Sequence, residues 1–317
     1  MLYELPTAVA ALVLFICWIF ESIFPAVWPT RSLGDRLHHL ALGGLNTIPA
    51  AFVAGGITLL ETDSPTGLRE LLGQLGFPVW FIGLCSFILL DFFQYACHVF
   101  MHKIPWLWRL HLVHHHAVRV ESTTAFRFHT LEIIAQGIML APFMVISGVC
   151  VHDIALYNAI LIPMSLFHHA NVRLPRRIDR LIGLLIVTPG IHRLHHARWQ
   201  KMTDSNYGAV LSVWDRCFCT LSFHSRPERV PVGLDGFGPQ HTNTIGGMLR
   251  TPFSGAHAEM GNPPDDKIQS VDDPRVSPAC GGRTQTPQEI GSRIHAQRCN
   301  QQTNERVYVS RRKESSR

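Results

Sequence analysis

Three apolar stretches, residues 7–28, 40–60 and 77–97, each run for roughly the 20 residues that an α-helix needs to cross the ~30 Å hydrocarbon core of a bilayer. No water is available there to bond backbone N–H and C=O groups, so an unbroken apolar run satisfies them internally as a helix. The sequence therefore predicts an all-α chain built on a multi-pass transmembrane helical bundle. A fourth apolar stretch, 131–167, is long enough for two passes with a break near His152 and Asp153, and predicts a helical hairpin. Residues 181–187 are too few to cross and are expected to pack on the domain or lie at the interface. No Lys or Arg precedes Arg31, so the first run reads as a retained span rather than a secretory signal, which would start basic.

Charge places the loops. Arg31 and Arg36 follow the first run, whereas the loop 61–74 carries Arg69 against Glu61, Asp63 and Glu70. Cytoplasmic loops are enriched in Lys and Arg, which puts the Arg31 loop inside and the amino terminus outside. Counting passes from there, 98–130 and the chain from Ala170 onward also fall inside. Both are basic, with Lys103, Arg109, Arg119 and Arg127 in one and Arg173, Arg176, Arg177, Arg180, Arg193 and Arg198 in the other. Trp106 and Trp108, beside Pro105, read as interfacial anchors. Topology accounts for the net charge of +5, so nucleic acid is not an expected partner.

From about residue 255 to 317 the chain is rich in Pro, Gly, Ser, Gln, Asp and Arg and nearly free of aromatic residues. Such a segment buries too little apolar surface to offset its ordering entropy, and a disordered C-terminal tail is expected. The eight cysteines are scattered, with no CxxC pair and no disulfide framework.

Thirteen of the nineteen histidines lie between His98 and His196, and the most ordered share a spacing. His98 and His102 form HxxxH; His111, His114 and His115 form HxxHH; His192, His195 and His196 form a second HxxHH. Residues three and four apart lie on one helix face, so each motif aims two or three imidazoles at a common point. A single HxxxH is an ordinary surface pattern, but eight histidines so spaced on one side of a membrane require something that binds them. Imidazole suits Fe, Zn, Cu and Ni, and eight or more nitrogens suit two ions better than one four-coordinate zinc. HExxH is absent, since Leu112, Val113, Arg193 and Leu194 fill the two HxxHH motifs.

At these residues the chain resembles the fatty acid hydroxylase or sterol desaturase superfamily of integral-membrane di-iron oxygenases. The resemblance runs from about residue 81 to 223, and more weakly to about 253. It rests on DFFQYACHVFMH (91–102), LWRLHLVHHH (107–116), STTAFRFHTLE (122–132), FHHANVRLP (167–175), TPGIHRLHHAR (188–198) and NYGAVLSVWDRCFCT (206–220). It implies that His98, His102, His111, His114, His115, His192, His195 and His196 ligate a pair of irons. A further ligand would come from His168 or His169, with His169 favoured because the family's histidine stands directly before the Ala-Asn pair, here Ala170 and Asn171. His129 is a weaker candidate for an auxiliary role, and His116 is expected beside the site. The chain departs from the family pattern at Val99, at His116 and Ala117, and at Cys219, and no expected ligand is lost. Metal-bound imidazoles need their other nitrogen held, and Asp91, Glu132, Asp204 and Asp215 are available for that, while residues 206–220 are expected to be structural.

The expected organisation is N-terminal transmembrane helices over 1–76, a di-iron catalytic domain with a cytoplasmic histidine-rich helical cap over 77–223, its extension over 224–254, and the tail over 255–317. The resemblance implies O2-dependent hydroxylation or desaturation of a lipid drawn from the bilayer, in the inner membrane if the source is bacterial. No flavin, nicotinamide or haem fingerprint is present, so a separate electron donor of cytochrome b5, ferredoxin or reductase type is expected. A metal transporter or sensor is the rival reading. Transporters place ionisable ligands near mid-membrane, and the first three apolar runs hold only Glu21 and Asp91.

Overall fold

The computed structural model describes residues 4–28, 33–60, 67–237 and 244–254. The expected disordered tail, 255–317, lies outside the described residues.

Each apolar run forms a helix, with ends displaced from the hydropathy boundaries. Helix α1 (Glu4–Ile23) stops before residues 24–28, which continue without helix. Helix α2 (Leu33–Leu60) starts seven residues ahead of its apolar run, and α4 (Val79–Lys103) extends six beyond its own, carrying His98 and His102 on the same rod. Between them lies the short α3 (Gly67–Gln74). The hairpin is present as α6 (Thr130–Ser147) and α7 (Val151–His169). It breaks slightly before the expected point because Gly148, at φ 73°, takes the left-handed conformation that closes a helix. Three helical segments, Leu33–Leu59, Val79–Lys103 and Thr130–Ser147, are long and apolar enough to cross a membrane, and the chain is an integral membrane protein.

These helices are apolar outward. Phe15 of α1, Phe52 and Leu59 of α2, Trp80 of α4, and Ile138 and Ile146 of α6 are all exposed, an arrangement that water would penalise and lipid solvates. Helix contacts depend on small residues. At Gly137 of α6 an added Cβ would lie 2.5 Å from the Val53 side chain of α2, so only glycine allows this approach. Helix α1 packs on α7, α2 on α6, and α4 on α5, α6 and α7.

Short helices finish the histidine end. Helix α5 (Pro105–His115) follows the extended residue Ile104 and starts on Pro105, whose fixed φ suits a first helical position. After a 3-10 turn (Ser122–Phe126) and the hairpin come α8 (Arg176–Ile182), α9 (Pro189–His195), α10 (Gln200–Thr203), α11 (Val213–Cys217) and α12 (Ile245–Arg250). Residues 181–187 do not cross. Leu181, Leu184 and Leu185 are exposed, as a segment lying at an interface would be. Trp106 is likewise exposed. No strand occurs among the described residues, only isolated bridges such as Pro25 with Val172 and Ala197 with Val232.

Buried ions tie the elements together. Arg36 of α2 lies 2.9 Å from Glu121 and 3.5 Å from Glu21 of α1. Glu21 in turn accepts the backbone N–H groups of Ser122 (2.6 Å) and Asn171 (2.9 Å). Arg127, with no exposed surface, donates to the Val113 carbonyl at 2.7 Å and contacts His39 and His116. Two of the arginines counted for topology thus serve the interior, where an isolated charge would be costly and each is matched by acceptors.

Candidate metal centre

Imidazoles converge only where their helices end together. His98 and His102 occupy the last turns of α4, and His111, His114 and His115 line α5 as it folds back against α4. His169 ends α7. Thr188 caps α9 by accepting the Ile191 N–H, Pro189 opens its first turn, and His192, His195 and His196 follow.

The nitrogen atoms fall into two groups, each with all members within 4.8 Å of one another: His98, His102, His111, His115 and His195 in one, and His114, His169, His192 and His196 in the other. Each HxxHH motif is divided. His111 and His115, one turn apart, enter the group of five while His114 enters the group of four; on α9, His195 enters the five while His192 and His196 enter the four. His169 is included, whereas His168 hydrogen-bonds the backbone of Ala209 and belongs to neither.

Proton positions limit what these contacts can be. In the group of five, His98 Nδ1 donates to the Tyr207 carbonyl (2.9 Å), His111 Nδ1 to Glu132 Oε1 (2.7 Å) and His195 Nδ1 to the Ser205 carbonyl (2.7 Å). A neutral imidazole holding its proton on Nδ1 presents a lone pair at Nε2. His98 and His111 therefore point lone pairs at each other across 3.1 Å, and the buried His195 Nε2 has no partner. In the group of four, Nε2 contacts run from His114 to His169 (3.1 Å), His169 to His192 (2.9 Å) and His192 to His196 (3.2 Å). Each Nε2 offers one proton or one lone pair in a single direction, so hydrogen bonds account for at most two of these three contacts.

A cation accounts for all of them. Two imidazole nitrogens about 2.1 Å from one ion and at right angles are about 3.0 Å apart, as these are. Charge agrees as well. Burial, followed by neighbouring imidazoles, pushes His114, His115 and His196 well below the ordinary histidine range, and does the same for His192 and His195. All five remain neutral and able to ligate near pH 7. The residues present fit a pair of metal ions with nitrogen ligands.

The four acids divide. Glu132 holds His111, and Asp204 Oδ1 lies 3.5 Å from His102 Nδ1 while its other oxygen accepts from Lys103 (2.8 Å). Asp91 and Asp215 do not touch the imidazoles. Asp91 is filled by Tyr157, Trp214 and the N–H groups of Val210 and Leu211, and Asp215 by Thr220 and the N–H groups of Tyr207 and Gly208. Both brace the segment that supplies the Tyr207 carbonyl. His129 is likewise structural, accepting the Leu131 N–H at the start of α6 and donating to the Leu249 carbonyl. His116 lies against Arg127 and Phe237.

Sequence reasoning missed the carbonyl holders Ser165, Ser205 and Tyr207, because any residue type has a carbonyl. The one available signal was Asn206. At φ 57° it adopts a conformation Asn tolerates better than most residues, and its side chain bonds Ile191 and Ser222, so the flanking carbonyls reach His195 and His98. Aromatic rings close the site: Phe128 stacks on His114 at 4.7 Å, and Trp108 lies 4.8 Å from His102 and 5.3 Å from His115.

Comparison with known proteins gives the same region. The family model described as fatty acid hydroxylase matches residues 83–220. Human alkylglycerol monooxygenase is 27% identical over 228 residues, 70% of this chain and 46% of the relative. An ornithine lipid hydroxylase of Rhizobium tropici is 26% identical over 225 residues, 69% of this chain and 67% of the relative. A cholesterol 25-hydroxylase-like protein of Danio rerio is 30% identical over 148 residues, 46% of this chain and 57% of the relative. The chain thus spans about half the length of two of these three relatives. No solved structure matches.

Proposed function

We propose that this chain, similar over residues 83–220 to the fatty acid hydroxylase family, is a member of the fatty acid hydroxylase/sterol desaturase superfamily and a membrane-bound di-iron oxygenase that hydroxylates or desaturates a C–H bond of a lipid. The observation that carries this reading is the division of nine imidazoles into two compact groups, with the Nε2 lone pairs of His98, His111 and His195 left free by their Nδ1 hydrogen bonds. The proposed ligands are His98, His102, His111, His115 and His195 for one iron and His114, His169, His192 and His196 for the other. Irons held there would supply activation of O2 and removal of hydrogen from an unactivated C–H bond. Two electrons per turnover would come from a separate donor of cytochrome b5, ferredoxin or reductase type.

The protein's part is to hold and shield. Carbonyls of Tyr207, Ser205 and Ser165 and the Glu132 carboxylate fix ring directions, and Phe128 and Trp108 limit water. Hydroxylation leads the two reactions, since the relatives named above are hydroxylases and a monooxygenase. Their names point to lipids of unlike headgroup, so the reacting class is lipid and not one molecule. The basic loops around the histidine motifs support a site on the cytoplasmic face.

The test is metal analysis of purified protein together with O2 consumption and product detection on a lipid panel with reductant. Iron in both groups and an oxygenated lipid are expected. Stoichiometric zinc with no O2 uptake overturns the reading.

A further inference from the structure

Away from the histidine groups a cleft of about 340 Å³ lies beside α9. Its walls include the segments that follow the histidine-bearing helices: residues 118–120 after α5, Asn171 after α7, and Arg198 after α9, with Arg193 on α9 itself. Val27 and Trp28, past the end of α1, complete one side.

Four arginines, Arg119, Arg193, Arg198 and Arg229, line this cleft against one acid, Glu228, an excess of three positive charges. Glu228 also lies 3.6 Å from a further arginine, Arg173, and Asp235 lies 3.4 Å from Arg198. Arg193 is held by donation from Nε to the Pro227 carbonyl at 3.1 Å. The Arg198 side chain is 43% exposed, so part of its guanidinium is open to the cleft. Guanidinium forks match phosphate oxygens in pairs, and such an excess of charge suits phosphate better than a single carboxylate. At the mouth Trp28 and Val118 are exposed, and Ile23 and Phe24 continue the exposed apolar face of α1 toward it. Tryptophan in such a position belongs at the headgroup level of a bilayer.

We propose that this cleft seats the phosphate of an anionic lipid headgroup. A lipid anchored there is presented beside the helix that carries His192, His195 and His196, which would fix which part of its chain reaches the metals. That last step rests on the lipid-oxygenase reading. Headgroup binding does not, and it is measured without turnover, so the two can fail separately.

The experiment uses the full-length, metal-loaded protein in detergent, with phosphatidic acid, phosphatidylcholine and inorganic phosphate as probes, read by native mass spectrometry and melting temperature. Phosphatidic acid is expected to bind at least about tenfold more tightly than phosphatidylcholine, the scale of one charge-assisted hydrogen bond. The double variant Arg198→Gln/Arg229→Gln should lose that preference, and Arg226→Gln, exposed and outside the cleft, should keep it. Equal binding of the two lipids, or a preference that survives in the double variant, overturns the proposal. Inorganic phosphate that stabilises as strongly as phosphatidic acid and displaces it also overturns it, by assigning the cleft to a free anion. Should the double variant fail to load metal, Arg229→Gln alone and the wild-type salt dependence decide, because the preference must shrink as salt is raised.

Discussion

The two histidine groups differ in what stands behind the imidazoles. In the group of five, His98, His111 and His195 each donate from Nδ1 to a carbonyl or carboxylate, and His102 faces Asp204. In the group of four only His169 is held in this way, by the Ser165 carbonyl at 2.7 Å, while the Nδ1 atoms of His114, His192 and His196 are buried without partners. Hydrogen bonds from Nδ1 orient three of the five imidazoles in one group, His115 having neither nitrogen bonded, against one of the four in the other, where ring packing such as Phe128 against His114 takes over. Outer hydrogen bonds raise ligand basicity and fix the tautomer, so the group of five should hold its metal more firmly.

The largest effect that would break this comparison comes from removing a ligand. His195→Ala should empty the group of five and His192→Ala the group of four, each abolishing lipid oxidation; metal analysis that finds both groups empty in both variants would show a single coupled site. Acid comes next. Unfolded imidazoles bind protons near pH 6.5, whereas His114, His115, His192, His195 and His196 stay neutral when folded. The unfolded chain then holds more protons, and the metal-free protein should lose stability as pH falls below about 6.5, by about 1.4 kcal/mol per pH unit for each proton. Denaturation midpoints measured across this range should fall toward acid, and a flat profile would contradict the burial of these rings.

Glu132→Gln sharpens the comparison further. It keeps the shape and removes the charge behind His111, and should weaken metal binding by about 10- to 100-fold in the group of five alone. Chelator titration of the two metals separately is the check, and equal weakening of both would remove the proposed asymmetry. Asp204→Asn should do least, because that carboxylate is partly exposed and shared with Lys103; a change in melting free energy under about 1 kcal/mol is expected.

Much of this was legible before any coordinates. The apolar runs indicated the helices, and the spacing of HxxxH and HxxHH picked out eight of the nine histidines that meet, the resemblance adding His169. Asp91 and Asp215 were misplaced because a carboxylate near a histidine motif in sequence can turn elsewhere in space, here toward Tyr157, Trp214 and backbone N–H groups. The Ser205 and Tyr207 carbonyls left no trace in residue type.

By itself the sequence determined a helical membrane protein with imidazoles stacked on single helix faces, because hydropathy and the 3.6-residue period are local properties of the chain. Only the tertiary structure decided that each HxxHH is divided between two groups, that His169 joins while His168 turns to Ala209, and that arginines gather beside α9. Those outcomes depend on how α4, α5, α7 and α9 meet, and the period of one helix says nothing about the angle at which another arrives.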